Sequence, residues 1–128
     1  MKVLVVDDSR VARRIVTKHL QATPAYEAAE VLEAPSGEEG LALFDTSIDV
    51  VISDWNMPGI SGLQFVQQLR EREKSWDRTD EEAVPVVMIT TEGTIDKVME
   101  ALDSGVKEYV IKPFTAETLI AALNRVMD

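Results

Sequence analysis

Short apolar runs alternate along this chain with segments of helical periodicity. The apolar runs are continuous, with no regular polar interruption, which is typical of strands covered on both faces as in a parallel sheet. The five runs are residues 3–6, 31–32 with their flanks, 50–52, 86–89 and 109–111. Strands and helices that alternate in this way predict an α/β domain built from repeated βα units.

Two segments show the spacing of an amphipathic helix, and several polar residues mark helix ends. One helical stripe comprises Ile95, Val98, Met99 and Leu102, and a second comprises Leu119, Ile120, Leu123, Val126 and Met127. Ser36 and Glu39 have the spacing of a capping box, which predicts a helix from there through Phe44. Ser61 is expected to cap the next helix, and Gly105 to stop the helix that contains Leu102.

Residues 71–82 depart from this pattern. Nine of these twelve residues are charged, and apolar periodicity is lost. We expect a solvated loop, longer than the usual connection between a helix and a strand, with a binding loop as the alternative. Trp76 within the segment is expected to pin it to the body of the domain.

Composition and charge exclude several classes of function. The length of 128 residues suits one domain. The chain has 23 acidic and 13 basic residues, and the resulting net charge of −10 disfavours nucleic acids and anionic membranes as partners. No apolar run approaches the ~20 residues of a membrane span, and the start lacks a signal peptide. With no cysteine there are no disulfides or thiolate sites. We expect a cytoplasmic monomer.

Polar residues suited to one chemical task follow four of the five predicted strands. They are Asp7 and Asp8, then Asp54, then Thr90 and Thr91, then Lys112 before Pro113. Ligands of open α/β sheets bind at the carboxyl ends of the strands, so these residues are candidates for one site. Three carboxylates would repel one another by about 4 kcal/mol per pair at ~4 Å with an effective dielectric near 20.

Positive charge at the predicted site must offset this repulsion between the carboxylates. Lys112 supplies one charge, and Mg²⁺ fits the remainder because it binds through one or two carboxylates and keeps water for a phosphate. Individually the residues have other interpretations. Asp7 and Asp8 suit a helix N-terminus, Asp54 a turn, Thr90 a helix cap and Lys112 a solvated surface.

The set resembles the receiver domain of two-component response regulators, and most nearly the stand-alone chemotaxis regulators. The resemblance covers essentially the whole chain, and it is carried by Asp7-Asp8, residues 54–59, residues 90–92 and residues 109–114. It implies a flavodoxin-like, doubly wound parallel sheet of five strands in the order 2-1-3-4-5, with five helices. It also implies a single receiver domain over residues 1–128 with no output domain, and a cis peptide bond before Pro113.

The resemblance implies specific roles at the site. Asp54 would accept a phosphoryl group from a histidine kinase or from a small donor such as acetyl phosphate. Mg²⁺ would be bound by Asp8, Asp54 and the backbone carbonyl of Asn56, with Asp7 acting through metal-bound water. Lys112 and Thr90 would contact the phosphoryl oxygens. Such a protein is a signalling switch that catalyses only its own phosphorylation and dephosphorylation.

The same family implies a switch and its tuning. Phosphorylation would draw Thr90 inward and let Tyr109 turn toward the core, although periodicity alone favours a half-buried strand residue at Tyr109. The face formed by the fourth helix, fifth strand and fifth helix would then bind a downstream protein, the flagellar motor switch being one candidate. Asn56 and Glu92 would tune hydrolysis, which predicts a short-lived phosphoryl state. Thr91 stands where chemotaxis regulators usually have a smaller residue.

A basic stripe lies in the segment that resembles the first helix of the family. It comprises Arg10, Arg13, Arg14 and Lys18. Such a stripe is either a solvated face or a docking strip for an acidic kinase or phosphotransfer domain. His19 is expected to lie on the helix surface, because the chain has no second histidine to complete a ligand set.

Other functions remain as alternatives. Within the family these are a phosphorelay intermediate that passes its phosphoryl group to a histidine phosphotransfer protein, and a module that only binds partners. A phosphatase of the haloacid dehalogenase type would need an Asp-x-Asp motif, and Asp7-Asp8-Ser9 has the wrong spacing. A flavin-binding flavodoxin would place a phosphate in the first loop, where two carboxylates would repel it.

Overall fold

The computed structural model describes residues 1–91 and 93–127. Within them, five strands alternate with five helices, as the apolar pattern predicts, and a 3₁₀ turn covers Asp80–Glu82. The strands are β1 (Lys2–Val6), β2 (Glu30–Ala34), β3 (Val50–Asp54), β4 (Val86–Thr90) and β5 (Glu108–Ile111). The helices are α1 (Arg10–Gln21), α2 (Gly37–Leu43), α3 (Gly62–Ser75), α4 (Ile95–Asp103) and α5 (Ala116–Met127).

The strands form one parallel sheet in the order β2-β1-β3-β4-β5, which confirms the predicted fold. Successive side chains of a strand point to opposite faces, so Val3 and Val5 pack under α1 and α5, while Leu4 and Val6 pack under α2 and α3. All five positions of β3 and of β4 are buried. Strand order reverses between β1 and β3, and ligands of such sheets bind at this switch point. In the described ranges, every helix is too short or too polar to cross a bilayer.

Capping side chains lie at the amino ends of several helices, close to the predicted positions. Ser36 accepts from the backbone N–H of Glu39, and α2 ends at Leu43, one residue before the predicted Phe44. Ser61 and Gln64 form a full capping box at the start of α3. Ser9 caps α1, so Asp7 and Asp8 lie in the loop before the helix and are not its cap. Thr94, and not Thr90, caps α4.

The prediction of a solvated loop at residues 71–82 is wrong for its first half. Helix α3 continues through Ser75, and the Glu73 side chain is only 4% exposed. Two guanidinium groups neutralise it: Arg70 Nη1 lies 2.6 Å from Oε1, and Arg78 Nη1 lies 3.1 Å from Oε2. The backbone N–H of Val84 also donates to Oε2 at 2.6 Å. A charged residue is buried here because its charge and both of its oxygens are satisfied.

The rest of the charged segment is tied to the domain as well. Trp76 stacks on Phe44 with ring centroids 5.3 Å apart, which confirms the expected anchoring role, and the Arg78 guanidinium lies 5.0 Å from the Trp76 ring centroid. Arg70 further donates to the carbonyls of Val84 and Gly105 at 2.8 and 2.5 Å. The segment and the adjacent Arg70 therefore join α3 to the start of β4 and to the α4–β5 loop.

Candidate functional site

Three carboxylates meet at the carboxyl ends of β1 and β3. Asp7 and Asp8 follow β1 directly, and Asp54 is the last residue of β3. The two strands pair in parallel with Val6 opposite Ser53, so their ends reach the same edge of the sheet. One oxygen from each carboxylate lies within 4.8 Å of the others. Asp7 and Asp54 are buried, whereas Asp8 is exposed.

The backbone holds Asp7 in place. Its N–H donates to the carbonyl of Ala34 at 3.1 Å, and its Oδ1 accepts the N–H of Ser9 at 2.9 Å. Burial raises the pKa of the Asp7 carboxyl above its usual value, and the neighbouring carboxylates of Asp54 and Asp8 raise it further. The Ser9 N–H and Lys112 oppose this shift without cancelling it. The raised pKa of Asp7 therefore reflects the burial of its carboxyl first and the negative charge of its neighbours second.

Lys112 is the cation that faces the cluster. Its Nζ lies 3.1 Å from Oδ1 of Asp54 and 3.9 Å from Oδ2 of Asp7. The backbone places it there, because its N–H donates to the Thr90 carbonyl at 2.7 Å, and the peptide bond to Pro113 is cis as expected. Oδ1 of Asp54 also accepts the N–H of Trp55 at 3.0 Å. Within residues 1–91 and 93–127, no hydrogen bond ends on Oδ2 of Asp54.

The loop after β3 folds back tightly against Asp54. Gly62 donates its N–H to the carbonyl of Trp55 at 2.8 Å, and a Cβ at Gly62 would collide with the backbone oxygen of Asp54. Gly59 has a φ of +79°, a conformation that favours glycine. Asn56 lies in this loop with an exposed side chain. The close return of the chain fixes the backbone directly after Asp54.

The remaining predicted residues have different settings. Thr90 ends β4 at the same edge of the sheet and is buried, and Thr91 is exposed. Thr91 lines an apolar pocket of about 410 Å³ between α1 and the β5–α5 loop, together with Asp7, Lys112 and Phe114. Tyr109 is half-buried on β5 and packs against the core between the sheet and α2–α4. Glu92 lies outside the described residues.

The basic stripe of α1 is not uniform. Arg10, Arg14 and Lys18 are exposed, but the Arg13 side chain is only 13% exposed. Arg13 Nη1 donates to the backbone carbonyl of Asp7 at 2.7 Å, and its Nε donates to Glu33 at 3.1 Å. Sequence reasoning grouped Arg13 with the stripe and missed this contact, because the periodicity of a helix does not show which way a long side chain turns. His19 is partly exposed and makes an edge contact with Phe114.

Comparison with known proteins agrees with this geometry. Residues 3–124 match the family model of the response regulator receiver domain. The chain is 41% identical to the chemotaxis protein CheY1 of Helicobacter pylori over 99% of this chain and 97% of that protein. It is 37% identical to CheY-3 of Vibrio cholerae, covering 100% of this chain and 92% of that protein. The solved structure of Vibrio cholerae CheY4 superposes with a TM-score of 0.83 at 37% identity, over 98% of this chain and 97% of that one.

The chain belongs to the response regulator receiver family. Its relatives are chemotaxis proteins, in agreement with the predicted resemblance. Receiver domains generally bind Mg²⁺ at an acidic pocket. The donors of this receiver fit that ion, because three carboxylates meet here and hard oxygen ligands are those Mg²⁺ prefers. Among the described residues, Lys112 forms salt bridges with two of the three, Asp7 and Asp54.

Proposed function

We propose that this receiver is a chemotaxis response regulator that is phosphorylated on Asp54 and thereby changes its affinity for a partner protein. The observation that carries the proposal is the environment of the Asp54 carboxylate. One of its oxygens is held by Lys112 and by the Trp55 N–H, while Oδ2 accepts no hydrogen bond from the described residues. A carboxylate held in this way presents Oδ2 as a nucleophile.

The proposed reaction is a direct phosphoryl transfer. Oδ2 of Asp54 attacks the phosphorus of a phosphohistidine or of acetyl phosphate, and the new O–P bond forms as the P–N or P–O bond of the donor breaks. The leaving imidazole or acetate departs with the electron pair of that bond. Lys112, already in contact with Oδ1, offsets charge on the phosphoryl oxygens, and the Thr90 hydroxyl donates to another of them.

The acidic cluster would hold the metal that this chemistry requires. Asp8 and Asp54 of the cluster, with the backbone carbonyl of Asn56, would bind it directly, and Asp7 would act through water. The metal supplies positive charge that offsets the three carboxylates and the incoming phosphoryl group. Asp7 and Asp54 are shielded from bulk water, whereas Asp8 is exposed to it.

The face formed by α4, β5 and α5 would bind the downstream partner protein. Phosphorylation adds up to two negative charges beside Thr90, and we propose that movement of Thr90 and Tyr109 transmits the change. This face exposes large apolar side chains, which suits a protein partner such as the flagellar motor switch. These side chains are Ile95, Met99, Leu102 and Ile111.

The phosphoryl donor would approach beside α1, next to the acidic cluster. A histidine kinase or phosphotransfer domain would dock beside α1, where Arg10, Arg14 and Lys18 are exposed. Asn56, Thr91 and Glu92 would set the lifetime of the phosphoryl group, which we expect to be short. The exposure of Asn56 and Thr91 supports this role, because both side chains can be reached by the attacking water.

Incubation with acetyl phosphate and Mg²⁺, followed by intact-mass measurement, tests this function. We expect the wild type to gain the mass of one phosphoryl group and Asp54→Asn to gain none. Asp45→Asn is the matched control, since it removes an exposed carboxylate that lies outside the acidic cluster, and it should react as the wild type does. An adduct on Asp54→Asn at the wild-type rate, or no adduct on the wild type, would overturn the proposal.

A further inference from the structure

The peptide group that joins Asp7 to Asp8 is held by a side chain from α1. Its N–H side belongs to Asp8, and its carbonyl oxygen, that of Asp7, accepts a hydrogen bond of 2.7 Å from Nη1 of Arg13. The two carboxylates extend from the residues on either side of this peptide plane. The orientation of the plane therefore sets the direction of one carboxylate relative to the other.

Arg13 is itself fixed by a second contact. Its Nε donates to Oε1 of Glu33 at 3.1 Å, and Glu33 lies on β2 opposite Val5 of β1. The guanidinium therefore connects α1, β2 and the loop after β1. A planar guanidinium donates hydrogen bonds to two oxygens at a fixed angle, which the ammonium group of a lysine cannot do.

We propose that Arg13 is a positioning residue for the phosphorylation site, acting through the Asp7 carbonyl to hold Asp7 and Asp8 in the arrangement that binds Mg²⁺. The inference rests on the proposed function, because it assumes that these carboxylates bind the metal. It differs from the docking role of the basic stripe, since the Arg13 side chain is largely buried and faces the loop.

The direction in which Mg²⁺ affinity changes when Arg13 is replaced distinguishes a positioning role from a purely electrostatic one. A positive charge near an acidic site repels Mg²⁺, so loss of the Arg13 charge alone would tighten Mg²⁺ binding. Loss of a positioning contact would weaken it, and partners that orient metal ligands are typically worth about 10–100-fold in metal affinity. The two mechanisms thus predict opposite shifts for the same substitution.

Titration calorimetry with MgCl₂ on the full chain provides the test. We expect Arg13→Gln to raise the Kd for Mg²⁺ about tenfold or more. Arg14→Gln removes the same charge from the neighbouring exposed position and should leave the Kd unchanged or slightly lower. Arg13→Lys keeps the charge but not the planar fork, and should raise the Kd by less than Arg13→Gln. Circular dichroism under the same conditions shows that each variant is folded.

The outcomes distinguish this inference from the proposed function. Mg²⁺ binding to Arg13→Gln that is as tight as to the wild type, or a loss of affinity in Arg14→Gln of equal size, would overturn the role of Arg13 alone. If Arg13→Gln does not fold, an unchanged Kd for Arg13→Lys overturns it instead. A wild type that binds no Mg²⁺ would overturn the proposed metal site, and the inference with it.

Discussion

Two clusters of charged residues, each with at least one buried carboxylate, lie at opposite ends of the sheet and are neutralised to different degrees. At the amino end of β4, Glu73 is paired with two arginines and a backbone N–H. At the carboxyl ends, Asp7 and Asp54 are buried beside Asp8 with Lys112 as their salt-bridge partner. The first group has positive charge to match, whereas the second has too little.

The difference separates a cluster with a structural role from the cluster to which we assign the proposed function. A buried charge whose partners are complete has no capacity left for a ligand, so the Glu73 cluster contributes to packing between α3, β4 and the α4–β5 loop. A cluster with excess negative charge costs stability in the free protein and gains it when a cation binds. Four expected outcomes test this difference between the Glu73 cluster and the acidic cluster, the largest effect first.

Glu73→Gln should destabilise the protein by about 3 kcal/mol in free energy of unfolding. The substitution keeps the size of the side chain and an oxygen for the Val84 N–H, but it leaves two largely buried guanidinium groups without their counter-charge. Urea unfolding monitored by circular dichroism measures the change. Glu71→Gln, at an exposed position of the same helix, should differ from the wild type by less than about 0.5 kcal/mol. Equal values for the two variants would contradict a structural role for Glu73.

Mg²⁺ should stabilise the wild type and the Glu73→Gln variant by the same increment, about 2.7 kcal/mol at a free concentration one hundred times the Kd. Asp8→Asn should lose most of this increment, since it removes a carboxylate from the acidic cluster. Thermal unfolding with excess chelator and with Mg²⁺ provides the comparison. If Asp8→Asn gained as much as the wild type, the metal would bind elsewhere.

Without metal, Asp7→Asn should stabilise the protein by about 0.5–2 kcal/mol, which is the opposite sign to Glu73→Gln. The amide oxygen can still accept the Ser9 N–H, while the cost of burying a charge and the repulsion from Asp54 and Asp8 are removed. Urea unfolding in excess chelator tests the sign. A destabilised Asp7→Asn variant would show that Lys112 already balances the cluster.

The advantage of Asp7→Asn over the wild type should depend on pH. The pKa of Asp7 is raised in the folded state, so ionisation of its carboxyl destabilises the folded wild type. This loss of stability is absent below the ordinary pKa of 3.8, where the carboxyl is protonated in both states, and it develops as pH rises toward the folded-state pKa. The stability difference between the two proteins should thus be smallest below pH 3.8, grow as pH rises toward the folded-state pKa, and stay constant above that pKa.

Asp45 provides the control of opposite sign for this pH dependence. Hydrogen bonds from Ser47 lower the pKa of Asp45, so its carboxylate contributes stability above 3.8 that is lost as pH falls through the folded-state pKa. Asp45→Asn should therefore lose stability relative to the wild type above pH 3.8. Unfolding in chelator at a series of pH values measures both variants, and parallel curves for the two would contradict the assignment.

The sequence was sufficient for the features that depend on local signals. Continuous apolar runs marked all five strands, and Ser36 and Ser61 marked helix starts, because these patterns reflect burial and hydrogen bonds between residues close in the chain. The meeting of Asp7, Asp8 and Asp54 also followed, since parallel strands bring their carboxyl ends to one edge. The strand order came only from the family resemblance, because the rules for crossovers allow more than one order.

Tertiary structure alone decided which charged residues are buried and what they contact. Glu73 and Arg13 belong to charge patterns that suit a solvated surface, yet one lies among arginines and the other holds the Asp7 carbonyl. Their partners include Val84, eleven residues from Glu73, and Glu33, twenty residues from Arg13. A pattern along the chain records hydrophobicity and spacing, whereas the burial of a charge depends on the groups that the folded chain brings to it from distant positions.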